Sequence, residues 1–218
     1  KEGLNDLTFR ATDVLGNEAF VNISFFLDSK KPRISRTLPI RDFSNGEFWI
    51  DFKEDNPELL ALNYGNPTIG YRNLELDIEN QCTLHRERYY CNADANLNDY
   101  DGQKMEYWFY LEDIAGHNHG SRHLTLDIDV TYPVIESLNY EIVGRNVNFD
   151  IGIIEENFEI VEFMDSSDLN PRWRTLCNRL KDGHCLGRKS FRSGIHNLAI
   201  QVIDEAGNSV SQPVSFTI

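Results

Sequence analysis

The sequence predicts an all-β chain of tandem antiparallel sandwiches. Three observations carry that prediction: apolar residues that alternate, a turn block that recurs, and an interval of about 100 residues between equivalent segments. The alternation is clearest in Leu7/Phe9/Ala11, Met105/Tyr107/Phe109/Leu111 and Leu198/Ile200/Val202, and a period of two is that of a half-buried strand. Helical periodicity is nearly absent. Short strands separated by turn signals, in units of about 100 residues, read as a sandwich rather than a helical or mixed fold.

The recurring block is Asp-x-x-Gly-Asn. Gly3 to Asn17 matches Gly194 to Asn208 without a gap, and a middle copy runs through Tyr107, Phe109, Leu111, Asp113 and Gly116, with His117 in place of the final Asn. Each block falls between two alternating segments, where Gly and Asn tolerate the positive φ of a tight hairpin and Asp can bond turn amides. A second set repeats at an interval of 101: Phe48, Ile50, Phe52 and Glu54-Asp55-Asn56 recur as Phe149, Ile151, Ile153 and Glu155-Glu156-Asn157, and Pro32 recurs as Pro133. The divisions that follow are an incomplete unit at 1–29, supplying only the last two strands of a sandwich, and complete units at 30–131 and 132–218. A lone hairpin cannot bury its own apolar face, so the first unit is expected to be completed by upstream strands or by a second molecule. The joins carry no flexible linker, which predicts end-to-end units with restricted bending.

Composition narrows the function. The 218 residues carry a net charge of −14, with 40% hydrophobic and 26% charged residues. That balance describes a folding chain that repels polyanions, so nucleic acid is not an expected partner. No run is apolar enough to cross a membrane, and any membrane attachment would lie outside these residues. Cys82 with Cys91 and Cys177 with Cys185 form two close pairs lacking zinc-ligand spacing. We expect each pair to be a disulfide bridging a hairpin or its mouth, and hence an extracellular, cell-surface location.

The alternating strand, the Asp-x-Ala-Gly-Asn turn as in Asp113–Gly116 and Asp204–Asn208, the final strand and the Pro that opens the next unit resemble the tandem immunoglobulin-like repeats of large bacterial and archaeal cell-surface proteins. The likeness covers nearly the whole chain and departs at His117 and at Leu15, which stands for Ala. It implies immunoglobulin-like sandwiches acting as spacer or adhesive modules, with no shared catalytic residues. Partners would then be neighbouring domains of the same type, or other copies of the protein.

Chemistry-bearing motifs are sparse. The chain has no G-x-S-x-G elbow, no H-E-x-x-H and no phosphate-cradling loop, so no catalysis is expected. No cofactor is expected either. Calcium stays open through Asp55 with Asn56, Glu156 with Asn157, and Asp127 with Asp129, whose oxygens suit that ion; the alternative is that they solvate loop tips. His117 and His119 could share a strand face and clasp a metal, or simply fill a turn. Between Arg172 and Arg192 stand seven basic residues, Arg172, Arg174, Arg179, Lys181, Arg188, Lys189 and Arg192, against the single acid Asp182. That segment is +6 in a chain whose remainder is −20, so it could dock an acidic face of another copy or an anionic surface glycan. Trp49, Trp108 and Tyr110 fall out of the core phase and should face outward, with Trp49 and Trp108 in opposite sheets. Asn22, in the only N-x-S/T sequon, should also point outward and could accept a glycan. The competing readings are a structural or adhesive stalk or lattice segment, a glycan- or protein-binding module, and an accessory domain of a secreted enzyme.

Overall fold

Residues 2–218 are described in the computed structural model. In chain order the strands are β1 (Gly3–Thr12), β2 (Glu18–Leu27), β3 (Arg33–Leu38), β4 (Phe43–Ser44), β5 (Glu47–Lys53), β6 (Pro57–Asn66) and β7 (Gly70–Glu75). After a one-turn helix α1 (Ile78–Gln81) come β8 (Cys82–His85), β9 (Arg88–Asp94), β10 (Lys104–Asp113), β11 (Asn118–Gly120) and β12 (Leu124–Ile128). The last set is β13 (Val134–Val143), β14 (Asn146–Ile154), β15 (Phe158–Asp165), β16 (Arg174–Cys177), β17 (His184–Ser190), β18 (Ile195–Asp204) and β19 (Ser209–Thr217). The chain divides into two compact units: Lys1–Leu38, Phe48–Ala95 and Glu106–Leu124 in one, Pro39–Glu47, Asn96–Met105 and Thr125–Ile218 in the other.

In the second unit, β13-β14-β17 form one sheet and β16-β15-β18-β19 another. Their inward residues make a single core from Val147, Phe149 and Ile151 on one side and Val161, Phe163, Leu198, Ile200 and Val202 on the other. Every second residue of β18 is buried from His196 to Asp204, so the period read from the sequence sets which face meets the core. Each of the apolar side chains among them, Leu198, Ile200 and Val202, stabilises by roughly 1.5–3 kcal/mol when taken from water. Gly187 lets β17 pass β16, since a Cβ there would stand 2.5 Å from Leu176 Cδ1.

The first unit repeats this plan. β3-β5-β9-β8 form one sheet, and β10 pairs β6, which pairs β7. Phe48, Phe52, Leu60, Leu62, Tyr107, Phe109 and Leu111 are its buried apolar residues. The correspondence reaches the irregularities. Ile34 faces Phe52 and Ile135 faces Ile153, each pair 101 residues from the other, and a β-bulge follows in both ladders, between Ile34/Arg36 and Ile135/Ser137. The first unit also contains the β1–β2 hairpin, paired without interruption from Gly3↔Leu27 to Thr12↔Glu18, with Leu7, Phe9, Ile23 and Phe25 exposed.

Both cysteine pairs are disulfides and no free thiol is present among the described residues. Cys82 lies directly opposite Cys91 in the β8–β9 ladder. The second bridge is not a hairpin staple, contrary to the sequence expectation: β16 pairs β15 whereas β17 pairs β14. Cys177–Cys185 therefore ties one sheet of the sandwich to the other, because the short segment between the two cysteines crosses from sheet to sheet.

Candidate functional site

The Asp-x-x-Gly-Asn block is a self-capped turn built three times. Asp13 Oδ1 accepts the Leu15 and Asn17 amides at 2.8 and 2.9 Å, Asp113 Oδ1 those of Ala115 and His117 at 2.9 and 2.9 Å, and Asp204 Oδ1 those of Ala206 and Asn208 at 2.9 and 2.8 Å. Gly16, Gly116 and Gly207 hold φ of 84°, 84° and 91°, a region glycine enters without cost. The second carboxylate oxygen takes the last residue of the block: Asn17 Nδ2 at 2.7 Å, His117 Nδ1 at 3.0 Å or Asn208 Nδ2 at 2.8 Å.

In the two complete copies this turn joins a larger carboxylate cluster. Asp28, Glu54 and Asp113 converge in the first unit and Asp129, Glu155 and Asp204 in the second, with one oxygen of each within 4.8 Å of the others. The surroundings repeat as well. Asn56 Nδ2 donates to Asp28 at 2.9 Å and Asn157 Nδ2 to Asp129 at 2.7 Å, while Glu54 and Glu155 accept the amides of Asn56 and Asn157 at 2.9 and 2.8 Å. In the second unit Asn208 also reaches the carbonyls of Asp129 and Thr131 at 3.0 and 3.3 Å. Three remote segments are thereby tied: the stretch before β3 or β13, the end of β5 or β14, and the turn after β10 or β18.

The electrostatics of the two clusters differ. Burial pushes the Glu155 and Asp204 carboxyls above their ordinary values, and the charge of Asp129 adds to both. Asp113 goes the other way: burial opposes its ionisation, but the His117 amide and imidazole hold it below its usual range. Of the calcium candidates read from the sequence, Asp129 alone falls in a cluster. Glu54, Glu155, Asp113 and Asp204 were legible only as repeated motif positions, the first two 101 residues apart and the last two 91 apart, and neither interval signals that they converge.

The histidines do not assemble. His117 bonds Asp113, His119 Nδ1 accepts the Ile34 amide at 3.1 Å, and His123 stacks on Trp108 with ring centroids 4.2 Å apart. Trp49 is exposed on β5 and Trp108 lies on β10 in the other sheet. The Tyr110 hydroxyl donates to Glu112. Asn22 is exposed on β2, where its Oδ1 accepts from Thr8 at 2.8 Å.

The basic segment concentrates around one cleft of about 700 Å³ in the second unit, at the β16 end and the turn before β18. Arg172, Arg174 and Arg192 line it; Arg179 and Lys181 sit on the exposed crossing segment, and Arg188 and Lys189 on β17. Arg174 is the one of the seven that forms an ion pair among the described residues, Nη2 to Asp168 at 2.6 Å, and it lies 4.8 Å over the Phe163 ring. Beside the cleft, buried His196 bonds Asp165 Oδ2 through Nδ1 at 2.6 Å and the Arg192 carbonyl through Nε2 at 2.8 Å. Both partners are acceptors, so both ring nitrogens carry hydrogen and the imidazole is charged. Burial alone would push this group down, but the Arg192 and Asp165 bonds and the Asp165 charge raise it.

No known family model matches the sequence, and no curated protein is similar to it. Among solved structures, the chicken CNTN1 FN1–FN3 domains are similar over 97% of this chain and 77% of that one, with a TM-score of 0.55 and 9% identity. A tetra-tandem repeat from the extending region of a large adhesion protein matches at TM-score 0.37 and 14% identity, over 100% of this chain and 57% of that one. The fibronectin(III)-like modules of Clostridium thermocellum CbhA match at TM-score 0.40 and 10% identity, over 86% and 93%. At 9% identity the CNTN1 likeness shows the fold alone, that of tandem fibronectin III or immunoglobulin-like β-sandwiches.

Proposed function

We propose that this chain is a non-enzymatic structural and adhesive segment of a prokaryotic cell-surface protein, an extracellular stalk built from tandem immunoglobulin-like domains. The observation that carries the reading is the duplicated tie of Asp28, Glu54 and Asp113 and of Asp129, Glu155 and Asp204, repeated with the strand register and its bulge. A protein that reproduces the packing of a joining segment from one unit to the next is organised for transmitting load along an array.

The carboxylate clusters are assigned to scaffolding rather than to a cofactor, since their oxygens already hold turn amides and asparagine side chains. Pulling the chain by its ends in a force microscope tests the stalk reading. Two separate unfolding events are expected, each releasing roughly 25–30 nm from about 90 residues at ~3.4 Å per residue. A smooth extension without peaks would overturn it. A melting temperature unchanged by millimolar calcium or by chelator is expected for the scaffold assignment, and a rise of several degrees would replace it with a calcium site.

A further inference from the structure

We infer that the arginine-lined cleft of the second unit binds an acidic sugar, with a carboxylate or sulfate of the glycan seated between Arg172, Arg174 and Arg192. The inference rests on the adhesive half of the reading above and supplies its ligand class. Arg172 and Arg192 are exposed and form no ion pair or side-chain hydrogen bond among the described residues, although the chain as a whole carries a charge of −14. Arg174 uses Nη2 on Asp168, yet its buried Nε has no acceptor in the protein. A buried donor left without a partner costs about 1–3 kcal/mol. An anion entering this cleft would neutralise the two free guanidinium groups, beside an Arg174 whose charge Asp168 only partly answers.

Size and lining select the class of anion. A volume of about 700 Å³ lies in the range of small-molecule sites, roughly 300–1,000 Å³, and is far more than a bare phosphate or sulfate fills. Ser167, Asn170, Ser190 and Ser193 line the same cleft and suit hydroxyl groups. Leu169 and Ile195 stand exposed on its wall, where they can cover the C–H face of a sugar ring. A neutral sugar would leave the arginines unanswered. A nucleic acid would meet the acidic remainder of the chain. The wall is also fixed in place, because the His196 imidazolium ties the Arg192 carbonyl to Asp165.

Titration calorimetry on the full 218-residue chain tests this with a galacturonic acid trimer, its methyl-esterified counterpart and inorganic sulfate as probes. The acid trimer is expected to bind, to weaken as salt rises, and to exceed both the ester and sulfate at least tenfold. The Arg172→Ala/Arg192→Ala variant, changed at two exposed side chains, should keep the wild-type melting temperature and lose at least tenfold in affinity. Absence of trimer binding at millimolar concentration, equal binding of the ester, equal binding of sulfate, or a variant that binds as wild type would each overturn the inference. Sedimentation in parallel separates the remaining occupant. A wild-type dimer that the double variant abolishes, with no trimer binding, would assign the cleft to an acidic face of a second copy and overturn the sugar. Failure of any of these arms leaves the force-extension outcome untouched, so the stalk reading stands or falls separately.

Discussion

The hairpins β1–β2 and β18–β19 are the same object locally and opposites in context. Leu7 faces Ile23 as Leu198 faces Val214, at one constant offset of 191 residues, and both hairpins turn on the same capped block. Yet Ile200 is 0% exposed and its counterpart Phe9 is 56% exposed. What separates them is the opposing sheet β13-β14-β17, which covers one hairpin, whereas among the described residues no sheet buries the apolar residues of the other. Pairing and register are therefore written in about 25 residues of local sequence, whereas burial is supplied by strands remote in sequence.

The largest expected effect follows from that contrast. Ile200→Ala removes methylene groups from a closed core and should cost about 2–5 kcal/mol in the second unit. Phe9→Ala, at the equivalent place with no core around it, should stay within roughly 0.5 kcal/mol. Chemical denaturation of both variants checks this. A large loss for Phe9→Ala would mean that its ring is packed in solution and would break the contrast.

The same contrast explains what was legible in the sequence. Alternation at Leu198, Ile200 and Val202 and the Asp-x-x-Gly-Asn spacing are short-range signals, and they identified strands and turns that the structure contains. The 101-residue interval carried the repeat down to the register of Phe52 and Ile153. Convergence of Asp28, Glu54 and Asp113 was not readable, because the three sit on segments whose approach depends on how the sheets close. The Cys177–Cys185 pairing is as expected, but its placement across a hairpin failed for a related reason. Eight positions are compatible with a hairpin and with a crossing between sheets, and only the pairing of β16 with β15 and β17 with β14 decides between them.

The disulfides come next in size. Replacing Cys177 and Cys185 by Ser frees a loop of about nine residues and should cost roughly 2–3 kcal/mol by the loop-entropy model. The loss should appear in the unit containing β18–β19, with hydrogen exchange in β1–β2 unchanged. Exchange that rises equally in both hairpins would show that the two share one cooperative transition.

Smaller again is the turn itself. Asp204→Ala leaves the buried Asn208 amide and the part-buried Ala206 amide without their acceptor and takes one of three acceptors from the Asn208 Nδ2, and about 1–3 kcal/mol is expected. Asp13→Ala breaks the same bonds in a solvated turn, where water replaces them, so a clearly smaller loss is expected. Thermal melts of the two variants measured side by side sharpen the distinction between one motif buried and the same motif in water.

The smallest effect is a dependence on pH that only one hairpin should show. Position 196 is His, and the matching position in β1 is Asn5, a side chain that does not titrate and whose Nδ2 donates to the Gly3 carbonyl. The folded state holds the His196 proton more tightly than the unfolded chain does, with a value raised above 6.5. Its stabilisation is therefore complete below 6.5 and is lost as pH rises through the folded-state value. The partner Asp165 has the reverse sign. Burial opposes its ionisation, but the His196 bond and the Ser167 amide hold it below 3.8, so its contribution is present above 3.8 and is lost on acidification. The pair should stabilise most between those two values. The charge of Asp168 also raises His196, and the raised Glu155 and Asp204 lie in the same unit, so the measurement is the difference between wild type and His196→Asn. The difference in melting temperature should shrink from pH 6 to pH 8.5, while amide exchange in β1–β2, corrected for its intrinsic pH dependence, shows no matching change. A difference that stays constant over that range would mean that His196 is neutral in the fold, and that its two acceptors do not hold the proton.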